Sequence, residues 1–213
     1  GNAPNILSSI AGNIFGMKAL NNLRLENIEW SEEIMNSFKG PQFGIENITR
    51  KMKIKDRPLT VSVPKPKVGL TTKEFGKIAY DLWLGGVDFL KDDENLTSQK
   101  FNKFENRVKT CFKVRDKTEK QSGERKNYFV NISAETKEMI KRARLVKEFG
   151  GDYVMVDILT VGWAGLQTVR EECQDLKLAI HAHRAMHAAM DRNKKHGIAM
   201  KVFAETARLI GVD

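Results

Sequence analysis

The chain has 213 residues, of which 41% are apolar, and a formal net charge of +9. This length and composition suffice for a substantial buried core, in one domain or two small ones. We find no apolar run of about 18 residues and no signal-peptide pattern at the start, so we expect neither a membrane span nor a secretory leader. The two cysteines lie far apart in sequence and predict free thiols in a reducing, cytoplasmic setting.

The excess of basic residues is compatible with nucleic-acid binding, and equally with solvated helix faces around a site for an anionic substrate. Basic and acidic residues alternate, as in Lys137-Glu138 and Lys147-Glu148, and aromatic residues do not interleave with them as a stacking platform requires. We therefore expect no nucleic-acid partner.

The first part of the chain, residues 1–57, differs in pattern from residues 58–213 and is interpreted as the end of a preceding domain with its linker. Glycines interrupt its apolar stripe, and Gly40-Pro41 marks a stop. We predict in this part an interrupted helix over 6–23, a strand over 25–28 and a helix over 31–38.

From Pro58 onward, short apolar or β-branched runs alternate with segments of helical periodicity. The capping box Thr71 to Glu74 opens the first of these helices, and Gly85-Gly86 ends it. The predicted strands are 59–63, 87–90, 128–132, 153–159 and 178–181, and the predicted helices are 71–84, 98–119, 137–149, 161–173 and 197–209.

Five successive βα units predict an α/β fold with a parallel sheet, either doubly wound and open or a (β/α)8 TIM barrel. No G-x-G-x-x-G motif follows a strand, which disfavours the dinucleotide-binding type. Polar residues follow the strands, and a barrel collects such residues at one face. Because a barrel has eight strands, we expect residues 58–213 to be an incomplete barrel domain with strands one to five.

The segment Lys91-Asp92-Asp93-Glu94 directly follows the second predicted strand. Strand alternation places Lys91 and Asp93 on one face and Asp92 on the other. Two carboxylates suit a hard cation such as Mg²⁺, and a lysine carbamate formed with CO2 would add a third oxygen ligand. By itself, however, the tetrapeptide reads more readily as a solvated charged turn.

Two further segments carry candidate chemistry. In Lys65-Pro66-Lys67, two ammonium groups held close depress each other's proton affinity, which suits one to acid-base work and one to binding phosphate; an exposed basic turn is the alternative. In residues 181–187, a base or proton shuttle at His183 beside a phosphate-binding Arg184 fits better than a zinc site. His181 and His196 are expected to be structural.

These motifs resemble those of ribulose bisphosphate carboxylase large subunits. Residues 87–95 resemble the family's G-x-D-x-x-K-D-D-E-N signature, residues 65–70 its K-P-K-x-G-L motif, and residues 181–187 its H-x-H-R-A-M-H motif. Residues 12–16 resemble a segment at the end of its N-terminal domain. The match extends over essentially the whole chain, and residues 91–103 are most similar to the archaeal form III enzymes.

The resemblance implies Mg²⁺-dependent carboxylation and oxygenation of ribulose 1,5-bisphosphate through an enediolate, giving 3-phosphoglycerate on carboxylation. The implied roles are carbamylation at Lys91, Mg²⁺ binding by Lys91, Asp93 and Glu94, acid-base catalysis by Lys65, substrate binding by Lys67 and Arg184, and proton transfer by His183. Asn13 would reach the substrate site of a neighbouring subunit, which implies a homodimer or larger homo-oligomer.

The chain departs from the family by lacking most of the N-terminal domain and by ending where a sixth strand is expected. The strand-six histidine, the lid lysine and the second phosphate site would then lie outside it. We accordingly expect the 213 residues alone to be inactive. The alternative function is that of a relative that enolises or isomerises a sugar phosphate without carboxylation, and the lid lysine would discriminate the two.

Overall fold

The computed structural model describes residues 1–213 as a parallel sheet packed against helices. Its strands are β1 Arg24–Leu25, β2 Val61–Ser62, β3 Phe89–Lys91, β4 Asn127–Asn131, β5 Tyr153–Asp157, β6 Ala179–His183 and β7 Gly197–Ile198. Its helices are α1 Ala3–Ala11, α2 Glu32–Asn36, α3 Gly44–Met52, α4 Thr72–Leu84, α5 Phe104–Ser122, α6 Thr136–Glu148, α7 Ile158–Leu176, α8 Ala188–Asp191 and α9 Met200–Ile210, with a 3₁₀ turn at Ile14–Gly16. None of these helices combines the length and apolar character that crossing a membrane requires.

Strands β2 to β6 form one five-stranded sheet in sequence order, and every neighbouring pair is parallel. One helix, from α4 to α7, connects each pair. Parallel neighbours need such crossover connections, so the predicted succession of five βα units is confirmed. The edge strands β2 and β6 do not pair with each other, and the barrel is therefore open.

The two faces of the sheet carry different apolar clusters because side chains alternate along each strand. The face toward the helices supplies fully buried side chains to the larger cluster, namely those of Leu90, Tyr128, Val130, Val154 and Val156. On the opposite face Phe89 stacks on Phe129 with ring centroids 4.4 Å apart, and Tyr153 meets Phe89 edge-on at 5.1 Å. Burial of each large side chain stabilises the fold by about 1.5–3 kcal/mol.

Helix α4 shows how local sequence and packing agree. The Thr71 N–H donates to Glu74 at 2.8 Å, and the Glu74 N–H donates back to the Thr71 hydroxyl at 3.3 Å, so the predicted capping box is confirmed. Phe75, Ala79 and Trp83 recur at helical spacing and are completely buried.

A buried carboxylate ties the start of β3 to the segment before β2. Asp88 accepts 2.7 Å hydrogen bonds from both Nη1 and Nη2 of Arg57 and from the Thr60 N–H. Burial by itself would raise the pKa of Asp88, but these hydrogen bonds and the charge of Arg57 outweigh it and hold the pKa at about 2. The carboxylate is therefore ionised at neutral pH. Its hydrogen bonds link the residues before β2 to the residue that precedes β3.

Several boundaries differ from the predicted ones. The helix predicted over 98–119 begins only at Phe104. The Arg107 guanidinium donates hydrogen bonds to the carbonyl groups of Thr97 and Asn102, and these bonds hold the preceding residues in a loop. The strand predicted over 153–159 ends at Asp157, and the helix predicted over 6–23 ends at Ala11. The strand predicted over 25–28 is reduced to Arg24–Leu25 and pairs with β7.

Helix α3 was not predicted, because its N-terminal cap comes from the far end of the chain. The Asp213 carboxylate accepts hydrogen bonds from the backbone N–H groups of Phe43 at 2.6 Å and Gly44 at 3.1 Å. This helix places Met52 in the apolar cluster on the face of the sheet that carries Phe89 and Tyr153. The division of the chain at residue 57 stays a prediction.

Both cysteines, Cys111 and Cys173, are buried and free, as predicted for thiols. Burial raises the pKa of Cys173 to about 12, so this thiol is protonated and acts as a small apolar side chain.

Candidate active site at the carboxyl ends of the strands

The acidic segment lies where β3 ends. Lys91 is the last residue of the strand and is partly buried, Asp93 is buried with 4% of its surface exposed, and Glu94 is partly exposed. Burial lowers the pKa of the Lys91 amine, and the negative charges of Asp93, Asp92 and Glu94 offset only part of that shift. The Lys91 Nζ donates to the Asp92 carbonyl at 2.9 Å, so a partly desolvated amine without an ion pair lies at the same strand end as the two carboxylates.

The two lysines of the 65–67 segment contact these carboxylates directly. Lys65 forms an ion pair with Asp93, and the Lys67 Nζ lies 2.5 Å from Glu94 Oε1 and 3.5 Å from Asp93 Oδ1. Burial opposes ionisation of Asp93, but hydrogen bonding with Glu94 and Lys65 outweighs it and holds the pKa of Asp93 well below its usual range. Asp93 is therefore a carboxylate at neutral pH.

The expectation that the two lysines depress each other's proton affinity is wrong for Lys67. Its hydrogen bond to Glu94 raises the pKa of the Lys67 ammonium, although partial burial acts in the opposite direction. Each lysine contacts a carboxylate, Lys65 that of Asp93 and Lys67 that of Glu94.

Asn131, the last residue of β4, holds the acidic segment through the backbone carbonyl groups of that segment. Its side-chain Nδ2 donates to the carbonyl groups of Glu94 at 2.9 Å and Asp93 at 3.2 Å. Its Oδ1 accepts from the Ser133 N–H at 3.0 Å, which fixes the orientation of the amide. A neighbouring strand thus determines where the two carboxylates stand.

Asp92 faces away from this site, as strand alternation predicts. Its carboxylate accepts hydrogen bonds from the Tyr128 hydroxyl, from Arg107 Nη2 at 3.3 Å and from the Asn131 N–H at 3.0 Å. Asp92, Arg107 and Tyr128 are all completely buried. Burial acts to lower the pKa of Arg107, but the charge of Asp92 outweighs it and keeps the guanidinium protonated. This network, which the sequence did not reveal, anchors the segment from behind.

Three histidines occupy the 181–187 segment. His183 ends β6, and its Nδ1 lies 3.1 Å from Asp157 Oδ1, at the end of β5. His181 stacks on Phe129 with ring centroids 4.6 Å apart, and burial with the nearby charge of Lys91 lowers its pKa to about 4, in keeping with a packing role. His187 contacts the Arg184 guanidinium.

The remaining two predicted residues lie apart from the acidic segment. His196 packs edge-on against Phe15 at 5.8 Å and accepts from the Leu23 N–H at 3.3 Å, consistent with a structural role. Asn13 lies exposed at the start of the 3₁₀ turn, not among the strand ends of its own chain. The structure thus brings Lys65, Lys67, Lys91, Asp93 and Glu94 together and leaves Asn13 outside.

The donor set fits a hard divalent cation only in part. Asp93 and Glu94 offer carboxylate oxygens, which Mg²⁺ prefers. No group of three or more His, Cys, Asp or Glu side chains that could hold a metal ion converges in the structure. Mg²⁺ commonly completes its coordination with water or substrate oxygens, and a carbamate on the neighbouring Lys91 would add a third protein oxygen.

Parallel βα units with acidic, basic and histidine side chains at the strand ends define a barrel-type α/β protein with its chemistry at one face. Residues 44–213 match the family model for the ribulose bisphosphate carboxylase large chain, catalytic domain, and residues 1–34 match the model for its N-terminal domain. The chain belongs to the ribulose bisphosphate carboxylase large-chain family.

Similar proteins come from archaea. A ribulose bisphosphate carboxylase of Pyrococcus abyssi is 56% identical over 213 residues, covering 100% of this chain and 50% of the relative, and one of Methanocaldococcus jannaschii is 51% identical, covering 49% of the relative. The chain therefore spans about half the length of the curated relatives it matches.

Solved structures agree with this relationship. The octameric enzyme of Pyrococcus horikoshii matches with a TM-score of 0.98 and 54% identity, covering 100% of this chain and 51% of that one. The dimeric archaeal enzyme of Hyperthermus butylicus matches with a TM-score of 0.98 and 49% identity, covering 100% of this chain and 50% of that one. At this similarity the five βα units are part of the family's TIM-barrel domain, and the open doubly wound alternative is excluded.

Proposed function

We propose that the protein carrying this chain carboxylates ribulose 1,5-bisphosphate, with oxygenation as a competing reaction, and depends on Mg²⁺ and on a carbamate at Lys91. The observation that supports this most is the partly desolvated Lys91 amine, which donates to the Asp92 carbonyl and has no ion pair, at the strand end where Asn131 holds the backbone of Asp93 and Glu94. Only an uncharged amine adds to CO2, and burial favours the uncharged form.

Asp93, Glu94 and carbamylated Lys91 would hold the cation. When bound, Mg²⁺ supplies positive charge that stabilises the developing negative charge of the substrate's enediolate. In the structure Lys65 and Lys67 neutralise the same carboxylates. If Asp93 and Glu94 held the cation, they would exchange these lysine contacts for it, and both ammonium groups would then be available to the substrate.

The other roles follow from charge and position. Lys65, beside Asp93, is proposed to move protons to and from the substrate, and the carbamate on Lys91 to help take its C3 proton. Lys67 and the exposed Arg184 offer positive charge to an anionic substrate. His183, at the end of β6, is proposed to transfer protons during hydration and cleavage of the carboxylated intermediate.

The proposed working unit is a homodimer or larger homo-oligomer in the cytoplasm. Asn13 lies exposed at the start of the 3₁₀ turn, followed by the exposed apolar side chains of Ile14 and Met17. That position supports a role for Asn13 in the site of a neighbouring subunit rather than in its own. The 213 residues by themselves are expected to be inactive, because β2 and β6 do not pair with each other and the barrel is open.

The decisive experiment follows label from CO2 into product. The full-length protein that carries this chain is incubated with CO2 and Mg²⁺, and then receives ribulose 1,5-bisphosphate with labelled CO2. Labelled 3-phosphoglycerate is the expected product. Exchange of the substrate C3 hydrogen with deuterated solvent, without label in the product, would instead indicate the relative that only enolises or isomerises its substrate.

A further inference from the structure

Asp157 and His183 stand side by side because of strand register. In the parallel pair of β5 and β6, Asp157 is directly opposite His183, and each is the last residue of its strand. Residues opposite one another on parallel strands project to the same side of the sheet. An acid and an imidazole are therefore neighbours at the end of the sheet that carries the acidic segment.

The contact between them involves an atom with no other partner. Asp157 is 4% exposed, and its Oδ1 is buried without a hydrogen-bond partner. That oxygen lies 3.1 Å from His183 Nδ1. A buried polar atom left unpaired destabilises the fold, and more so when it is charged. The unpaired oxygen therefore favours a proton on His183 Nδ1.

The backbone N–H of Ala185 favours the opposite tautomer of His183, in which Nδ1 carries no proton. The backbone N–H of Ala185 points at the same Nδ1 at 3.2 Å, and it can donate only if that nitrogen carries a lone pair. Ala185 is partly exposed, so water can satisfy its N–H, whereas the buried Asp157 oxygen has no such alternative. A hydrogen bond to a carboxylate is also about twice as strong as one between neutral groups.

We propose that Asp157 is the positioning residue of His183. It holds the proton on Nδ1 and thereby leaves the lone pair on Nε2, on the far side of the ring, free to accept a proton. This inference rests on the proposed function, in which His183 moves protons. When Nε2 takes a proton, the imidazolium faces the Asp157 carboxylate; when the proton leaves for product or solvent, both side chains return to their starting forms.

Asp157 also affects other charged groups, and the test must separate these effects. Its charge acts on the amine of Lys91 and on His181. Turnover is therefore compared after saturation with CO2 and Mg²⁺, so that a change in activation through Lys91 does not register as a change in His183.

The first measurement needs no activity. Nitrogen-15 spectra of the sedimented full-length protein, labelled at histidine, report which ring nitrogen carries the proton, and His183→Gln identifies the His183 signals. With the ring neutral, we expect the Nδ1–H form. The Nε2–H form in the unmodified protein would overturn the proposal, even if Asp157 variants do not fold and even if the protein does not carboxylate its substrate.

The second measurement uses Asp157→Asn, because an amide at this position can donate to Nδ1 as the Ala185 N–H does. We expect His183 to switch to the Nε2–H form and turnover to fall on the order of 10²-fold. Exchange of the substrate C3 hydrogen and the KM for substrate should change by less than about 3-fold, because positioning of His183 acts on later proton transfers.

Asp152→Asn is the matched control. Asp152 immediately precedes β5 at its other end, where it lies 3.6 Å from the Nζ of Lys51, and the same substitution there should change neither the His183 tautomer nor turnover. An unchanged tautomer in Asp157→Asn, or a switched tautomer with normal turnover, would refute the positioning role. Absence of carboxylation in the unmodified protein would refute the proposed function alone, since the spectra still decide the Asp157 contact.

Discussion

Asn131 donates its side-chain amide to the carbonyl of Glu94 at 2.9 Å, so the end of β4 holds the segment that follows β3. The same amide reaches the Asp93 carbonyl at 3.2 Å, and the Asn131 backbone N–H donates to Asp92 at 3.0 Å. Three consecutive acidic residues are thus held by one neighbour. The backbone that carries the two carboxylates proposed to bind Mg²⁺ is thus held by Asn131, in addition to the contacts that these carboxylates make with Lys65 and Lys67.

Replacing Asn131 by alanine should therefore weaken Mg²⁺ binding. Loss of both donations frees the backbone of Asp93 and Glu94, and removal of groups that orient metal ligands typically costs about 10–100-fold in affinity. The Mg²⁺ concentration for half-maximal activation measures this. Asn127→Ala, at the other end of the same strand, removes a buried amide without touching the acidic segment and should leave the Mg²⁺ requirement unchanged. Equal changes of the Mg²⁺ requirement in the two variants would contradict a role for the Asn131 hydrogen bonds in orienting Asp93 and Glu94.

Lys91→Ala should abolish activation by CO2 in the full-length protein. Lys65 and Lys67 are paired with Asp93 and Glu94, whereas the Lys91 amine has no ion pair, so its loss removes the group proposed to become the third oxygen donor. Preincubation with CO2 and Mg²⁺, followed by a timed assay of label uptake, measures activation. Lys103→Ala, an exposed lysine before α5, serves as the control and should activate normally. Activation that persists in Lys91→Ala would exclude the carbamate.

Arg107→Met should destabilise the fold strongly. The substitution leaves the Asp92 carboxylate buried without its cation, and breaking a buried ion pair typically costs about 3–5 kcal/mol. Denaturant unfolding measures the change in the free energy of unfolding. Arg144→Met removes a pair with Glu172 on the surface, where solvent screening should leave only a small loss of stability. Similar losses in the free energy of unfolding for both variants would show that the buried Asp92–Arg107 pair contributes no more to stability than the surface pair.

Asp88→Asn should lower stability at neutral pH, and the loss should vanish in acid. The pKa of Asp88 is about 2 in the folded chain, against an ordinary value of 3.8. A depressed pKa contributes stability that is fully present above pH 3.8 and disappears as pH falls through about 2. The contribution is at most about 2 kcal/mol, since solvent screens the half-exposed Arg57.

Unfolding of wild type and Asp88→Asn, compared at pH 7 and at several values between 4 and 2, tests this prediction. The difference between the two proteins should shrink over the acid range. Glu105→Gln, an exposed carboxylate in the first turn of α5, should show no such convergence. A difference that stays constant with pH would mean that the Asp88 charge does not contribute.

Much of the fold could be predicted because it depends on local pattern. The alternation of apolar runs with helical periodicity indicated five βα units, and the capping box located the start of α4 to the residue. The boundaries that differed, such as the late start of α5 and the unpredicted α3, are determined by distant partners. Arg107 holds the loop before α5, and Asp213 caps α3 from the end of the chain.

The sequence by itself determined the family, the order of the βα units and which residue types follow each strand, because these depend on neighbours in the chain. Only the tertiary structure decided which side chains meet. Lys65 and Lys67 pair with Asp93 and Glu94, Asn131 holds the backbone of the acidic segment, and Asp157 faces His183. Strand register and burial determine such contacts, and both are properties of the folded sheet that no local pattern encodes.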